Sequence, residues 1–138
     1  MTAVEFFVAG VPAPKGSMRG FVVGRRAILT SDNTKLKPWA FAVRAEALRV
    51  RTGEPIVGPV RVHVQFYLPR PKSLPARISA ATKKPDLDKL LRGALDAISG
   101  VLFVDDAQVI AVWATKAYAR TPAEAGAQIR VEALELGR

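Results

Sequence analysis

The chain of 138 residues has no cysteine and only one histidine, His63. Without thiols it can form neither a disulfide framework nor a thiolate zinc site, and a single histidine cannot build a histidine-rich metal site. No apolar stretch approaches the roughly 18 residues needed to cross a bilayer. In segment 1–17 the first basic residue, Lys15, follows the apolar stretch, which is the wrong order for a signal peptide. We therefore expect a cytoplasmic protein with no membrane partner.

Acidic residues are also scarce, at 12 against 21 Lys and Arg, which gives a net charge of +9. Such an excess indicates a polyanionic partner, either a nucleic acid or an anionic membrane. Five of the six aspartates nevertheless fall within residues 86–106, namely Asp86, Asp88, Asp96, Asp105 and Asp106. A divalent cation that acts on a phosphodiester needs clustered carboxylates as ligands, and the basic residues around them would bind the polyanion. The contrast favours a metal-dependent nuclease.

The hydrophobic content of 49% excludes general disorder, and the length favours one domain over residues 1–138. The patterns predict strands over 4–9, 21–23, 27–30, 60–68, 109–119 and 128–136, and helices over 32–51 and 87–99. Ser31 or Asp32 is the predicted cap of the first helix, and for Trp39 and Trp113 a core role is favoured over that of a base-stacking platform. The fold class is α+β, with a mixed sheet packed against two main helices. A long basic, proline-rich loop spans residues 69–85.

The second predicted helix begins at the acidic cluster. Pro85 disfavours helix in the residue before it, so Asp86 takes the cap position and Asp88 the first turn. The partial positive charge of a helix N-terminus tolerates both carboxylates, and Arg92 follows Asp88 by one turn, within reach of a phosphate. Mg²⁺ binds a few carboxylates, water and phosphate oxygens, and Asp105 or Asp106 is the natural third carboxylate. Taken alone, Asp86 is an ordinary cap, Asp96 is a helix-surface residue that can pair with a nearby cation, and His63 has a structural or surface role.

Two motifs carry a family resemblance: Lys84-Pro-Asp-Leu-Asp-Lys-Leu-Leu-Arg-Gly-Ala-Leu-Asp-Ala-Ile and, after it, Gly-Val-Leu-Phe-Val-Asp-Asp-Ala-Gln-Val-Ile. Together they resemble the core of the RusA family of Holliday-junction resolvases, over about 35 residues from Lys83 to Lys116. The family pattern has Asn after the second aspartate, where this chain has Lys89. This departure affects the groups around the carboxylates, because Lys89 can pair with one of them or contact phosphate.

The resemblance implies a homodimer that nicks four-way DNA junctions symmetrically with Mg²⁺, or Mn²⁺ in its place, in DNA recombination and repair. It assigns metal binding to Asp86, Asp88 and Asp106, with Asp105 as a neighbour, and a basic role to Arg92 and Lys116. It also suggests a phage or prophage setting in bacteria. The number of metal ions stays open.

The basic residues around the site are predicted to bind DNA: Arg70, Lys72, Arg77, Lys83, Lys84 and Lys89. Phe6, Phe7 and Val23 are candidates for the dimer surface. Two alternatives stay open, a non-catalytic nucleic-acid-binding protein and a nuclease of broader specificity for flaps and forks.

Overall fold

A mixed four-stranded sheet with two helices on one of its faces makes up the fold. The computed structural model describes residues 1–16, 18–23, 26–31 and 35–135, with backbone only for 18–31. In chain order the elements are β1 (Ala3–Ala9), β2 (Met18–Val23), β3 (Arg26–Ser31), α1 (Leu36–Val50), β4 (Val60–Leu68), α2 (Leu87–Ile98), β5 (Val109–Tyr118) and β6 (Gly126–Ala133). The predicted α+β class is confirmed. Strands β2 and β3 pair as a separate antiparallel hairpin.

Strand β4 lies at the centre of the sheet, whose order is β1-β6-β4-β5. Its even-numbered residues, from Val60 to Leu68, are all buried, and its odd-numbered residues are exposed or half-buried. This alternation is the clearest strand pattern in the sequence, and the structure confirms its bounds. β4 pairs antiparallel with β6 and parallel with β5. A parallel neighbour requires a crossover connection, and α2 lies in that connection.

Helix α1 begins at Leu36, four residues later than predicted. Its cap residue is Lys35, which makes no side-chain capping bond, and the predicted cap Asp32 lies outside the described residues. Pro38 sits in the first turn, where its missing N–H removes no helical hydrogen bond. Trp39 packs in the core at 3% exposure, as predicted, although its indole nitrogen has no hydrogen-bond partner among the described residues.

Helix α2 packs against α1 and against the segment that follows β1. The backbone N–H of Lys15 donates to the Lys89 carbonyl at 3.0 Å, and a side chain at Gly93 would lie only 3.3 Å from the Ala13 carbonyl. The Lys15 ammonium binds Asp96 at 2.7 Å. The surface ion pair predicted for Asp96 is therefore confirmed, and it fixes α2 against this segment.

Two predictions about aromatic residues are wrong. Trp113 is 61% exposed because β5 is an edge strand and the residue projects from the sheet face that carries no helix. Phe6 is 5% exposed and belongs to the core, so it is not available as a dimer surface, whereas Phe7 is 38% exposed. The Val23 side chain lies outside the described part. No helix in the described ranges is long and apolar enough to cross a membrane.

Candidate active site

Two carboxylates that have no partner among the described residues lie at the start of helix α2. Asp86 occupies the cap position in extended conformation and Asp88 lies in the first turn, as predicted. An aspartate at this position normally accepts a hydrogen bond from a first-turn N–H, but Asp86 makes no such bond. Both residues are exposed, and within the described ranges neither side chain has a hydrogen bond or an ion pair. The ordinary capping role therefore does not account for Asp86.

Lys116 fixes the backbone that leads into these carboxylates. Its ammonium donates to the carbonyls of Lys83 at 2.8 Å and Pro85 at 2.9 Å, from the helix-side face of β5. The bond between Lys84 and Pro85 is a cis peptide. Lys116 thus lies beside the site, as predicted, but its observed contacts position the chain immediately before Asp86. Neutralisation of phosphate by this residue stays a prediction.

Two further basic residues of α2 were predicted to take part. Arg92 is exposed and lies one turn after Asp88 on the same side of the helix. In the described part of the chain its guanidinium has no bonding partner. Lys89 is half-buried, and only its backbone carbonyl is engaged, by Lys15. Arg92 is the cation most available to a phosphate near Asp88.

The second acidic motif forms a tight turn, Asp105–Gln108, before β5. The Asp105 side chain accepts from the Ala107 N–H at 2.9 Å, and Gln108 accepts from the Asp105 N–H at 2.7 Å. This is a reciprocal capping box of a 3₁₀ turn. Gln108 also donates to the carbonyls of Ile56 and Gly58, at 2.8 and 2.9 Å. Asp105 therefore has a structural role, and Asp106 is left exposed without a partner among the described residues.

Gln108 is a site residue that the sequence prediction missed. The Asp-x-x-Gln spacing of a capping box was the signal that would have identified it. By fixing both the cap of the turn and the chain before β4, it determines where the Asp106 carboxylate lies.

The two acidic motifs lie at opposite ends of the same structural unit. Helix α2 has 12 residues and is therefore about 18 Å long. Strand β5, which follows α2 in the crossover, is about 23 Å long from Val109 to Lys116. Lys116, near the end of β5, contacts the chain that leads into α2, whereas Asp106 lies before the start of β5, so Asp88 and Asp106 lie toward opposite ends of this strand.

This separation corrects one expectation from the sequence. Across the described residues, no three His, Asp or Glu side chains lie close enough together to bind a metal ion. Within one chain, Asp106 therefore does not join Asp86 and Asp88 as a third ligand. Asp88 and Asp106 are near along the chain but not in space. The crossover through α2 instead places the two motifs at opposite ends of the sheet.

The basic loop 69–85 is ordered largely by one of its own arginines. Arg70 donates to the carbonyls of Ile78 at 2.7 Å, Pro75 at 3.0 Å and Ala119 at 3.3 Å. The guanidinium predicted to contact DNA is thus already bonded to protein, and its observed contacts are structural. The other four basic residues are exposed and have no side-chain partner in the ranges described: Lys72, Arg77, Lys83 and Lys84.

Two comparisons with known proteins identify the family of the chain. The family model for endodeoxyribonuclease RusA matches residues 11–132. The uncharacterized protein YqaN of Bacillus subtilis (strain 168) is 30% identical over 132 residues, which cover 88% of this chain and 92% of that protein. The match spans both acidic motifs and the basic loop. By class the protein is a nuclease, and the chain belongs to the RusA family of endodeoxyribonucleases.

Proposed function

We propose that this protein is a Mg²⁺-dependent endodeoxyribonuclease that resolves four-way DNA junctions by paired nicks. The observation that carries the proposal is the pair of exposed carboxylates, Asp86 and Asp88, which no hydrogen bond or ion pair within the described chain engages. A surface acid in a chain of net charge +9 has many cations available. Two carboxylates at a helix N-terminus that have no partner within the described chain are suited to binding an added divalent cation.

The residues present fit Mg²⁺. This ion commonly binds through one or two carboxylates, keeps several waters and takes its remaining ligands from substrate phosphate. Asp86 and Asp88 supply two carboxylates, and their exposure leaves space for water and a phosphodiester. When bound, the ion would supply an activated water and a Lewis acid at the scissile phosphate.

Basic residues around the carboxylates would bind the DNA backbone. Arg92, one turn along α2, would bind the scissile phosphate as negative charge develops on it. The four exposed basic residues of the loop would contact phosphates on either side. Because such contacts release counterions, binding would weaken steeply with salt and depend little on sequence.

A second copy of the chain would complete the site. Among the described residues of one protomer, Asp106 forms no three-carboxylate group with Asp86 and Asp88, yet it is exposed and unpaired there. In a two-fold dimer each protomer can present its Asp106 to the other protomer's Asp86 and Asp88, which produces two equivalent sites. A four-way junction has two equivalent scissile phosphates, so the symmetries match. Val104 before Asp106, and Ile110 and Val112 on the edge strand after it, are exposed and offer an apolar contact.

Cleavage of a synthetic mobile four-way junction tests the proposal. With Mg²⁺ the wild type is expected to produce paired nicks, and Asp88→Asn to lose cleavage by more than about a hundredfold while still binding the junction. Asp96→Asn is the matched control: it removes the same charge from the same helix, at a residue already paired with Lys15. An intact junction after incubation with wild type, or equal cleavage by Asp88→Asn, contradicts the proposal.

Two further measurements separate the alternatives. A non-catalytic nucleic-acid-binding protein would show no Mg²⁺- or Mn²⁺-dependent rise in Tm that Asp88→Asn removes. A nuclease of broader specificity would cut flap and fork substrates as fast as the four-way junction. Preference for the junction under equal conditions supports the resolvase assignment.

A further inference from the structure

The face of the sheet opposite the helices, here called the open face, carries one row of side chains across all four strands. The register aligns Trp113 of β5 with His63 of β4, His63 with Arg130 of β6, and Arg130 with Glu5 of β1. The next row aligns Thr115, Gln65, Gln128 and Phe7 in the same way. Between the rows is a shallow cleft of about 130 Å³. At about 30 Å³ per water, it has room for one flat ring rather than a large ligand.

Trp113 borders this cleft and is 61% exposed. Its neighbours on the open face are mainly polar, which distinguishes the cleft from an apolar protein–protein surface, whose buried centre is depleted in charge. The Tyr67 hydroxyl donates to the side-chain Oε1 of Gln65 at 3.1 Å, and the Gln65 amide N–H groups have no acceptor among the described residues. An exposed indole beside amide groups has the chemistry that stacks a nucleobase and bonds its edge.

Arg130 has two acidic neighbours on the open face, Glu5 opposite it on β1 and Glu132 in the adjacent row of its own strand. Arg61 binds Glu132 through its Nε at 2.6 Å, and this hydrogen bond is the main cause that lowers the pKa of the Glu132 carboxyl. Glu132 thus stays ionised and is bonded mainly to Arg61. Arg130 reaches the same carboxylate only at 3.5 Å, and its other N–H donors have no acceptor in the described part of the chain.

The spacing fits one nucleotide. Trp113 and Arg130 lie in the same row two strands apart, about 10 Å between Cα atoms at ~4.8 Å per strand. With a long arginine side chain, a base on the indole and its phosphate at the guanidinium can be bound together. We propose that the open face binds an unpaired nucleotide of the DNA, with the base stacked on Trp113 and the phosphate at Arg130. This inference rests on the proposal that DNA is the substrate, and it adds a contact on the sheet face away from α2.

Binding of a short oligothymidylate of about eight nucleotides, a length within the usual site sizes, tests the inference. The measurement uses Asp88→Asn protein in EDTA, so it does not depend on metal or cleavage. Trp39 is buried, and quenching of tryptophan emission would therefore report on Trp113. We expect quenching on binding, a loss of affinity of roughly 5- to 100-fold in Trp113→Ala, and near-normal affinity in Trp113→Phe.

Matched controls lie on the helical side of the molecule. Phe41→Ala removes an aromatic ring that is 75% exposed on α1 and is expected to leave affinity unchanged. The slope of the logarithm of the binding constant against the logarithm of the salt concentration reports the number of phosphate contacts. In Arg130→Ala we expect this slope to fall by the equivalent of about one contact. Arg49→Ala, which removes an exposed arginine paired with the nearby Glu46, should not change it.

An oligonucleotide with abasic sugars in place of thymidine separates stacking from charge. With this probe the difference between wild type and Trp113→Ala should disappear, since no base is present to stack. Unquenched emission at saturation, or equal affinities of Trp113→Ala and Phe41→Ala for the oligothymidylate, overturns the inference. A change in the oligomeric state of Trp113→Ala without a change in affinity would also overturn it, because the face would then be a contact between copies of the chain. If instead wild type fails to cut the junction while this pattern holds, only the nuclease proposal fails.

Discussion

At the scale of single residues, aspartates of this chain have different roles set by their hydrogen bonds. Asp105 accepts from the Ala107 N–H and closes a capping box, and Asp96 is paired with Lys15. Asp86 and Asp88 have no such contact in the described chain. Composition and spacing identify all of them as acidic neighbours of one another. Only the bonding pattern separates the structural acids from those available to a metal ion.

Asp105 provides a test of this separation. Asp105→Ala removes the acceptor for the Ala107 N–H and is expected to lower the free energy of unfolding by about 1 kcal/mol, as for other lost caps. Asp105→Asn keeps an acceptor oxygen and should be nearly neutral in urea unfolding. We expect Asp105→Asn to retain junction cleavage. Normal stability with lost cleavage would instead assign Asp105 to the metal.

Lys116 provides a second test, because its ammonium is bonded to two backbone carbonyls beside the site. Lys116→Met keeps the apolar stem but leaves the Lys83 and Pro85 carbonyls without this donor. We expect a loss of about 2 kcal/mol of stability and a cleavage rate at least roughly tenfold lower. Urea unfolding and single-turnover cleavage check both effects. Lys37→Met, at an exposed position of α1, is the control, and equal behaviour of the two variants would exclude the positioning role.

At the scale of elements, sequence patterns predicted the strands and helices that bury one regular face. The alternation over Val60–Leu68 defines a central strand, and the helical pattern after Asp86 defines α2, because each buries a regular face. The start of α1 was predicted too early because a polar segment precedes it and Pro38 was the only firm marker. Exposure of Trp113 was missed because it follows from β5 being at the sheet edge. Strand order depends on contacts between distant segments, which no local pattern contains.

The pairing of β1 with β6 contains a contact that only glycine permits. Gly126 has φ +152°, and a Cβ there would lie 2.1 Å from the Val8 carbonyl oxygen. Gly126→Ala must therefore push the two strands apart, and we expect a loss on the order of 3 kcal/mol in urea unfolding. Gly53→Ala is the control: φ is +78° but nothing lies within 4 Å of the added atom, so only backbone strain of roughly 1 kcal/mol remains. Equal losses in both variants would mean that the strands adjust without cost.

At the scale of the whole molecule, the crossover from β4 through α2 to β5 determines which site residues a single chain brings together. It brings Lys116 to the start of α2 and carries Asp106 to the far end of β5. The sequence predicted all of these residues as site candidates but not their distribution over two ends of the sheet. A site that needs both ends requires a second chain. This requirement would link catalysis to dimerisation and limit cutting to symmetric substrates.

Mixed dimers test that requirement directly. If Asp88 of one protomer works with Asp106 of its partner, a dimer of Asp88→Asn with Asp106→Asn has one site with both defects and one intact site. We expect each variant alone to be inactive, and the mixed dimer, purified through two different tags, to nick one strand at roughly half the wild-type rate. A dimer of Asp86→Asn with Asp88→Asn is the matched control. Both of its sites are defective whether Asp106 comes from the same chain or from the partner, so no activity should return. Inactivity of the Asp88→Asn/Asp106→Asn pair would instead mean that each site is built within one chain. The start of α2 and the acidic turn would then have to approach each other when DNA binds.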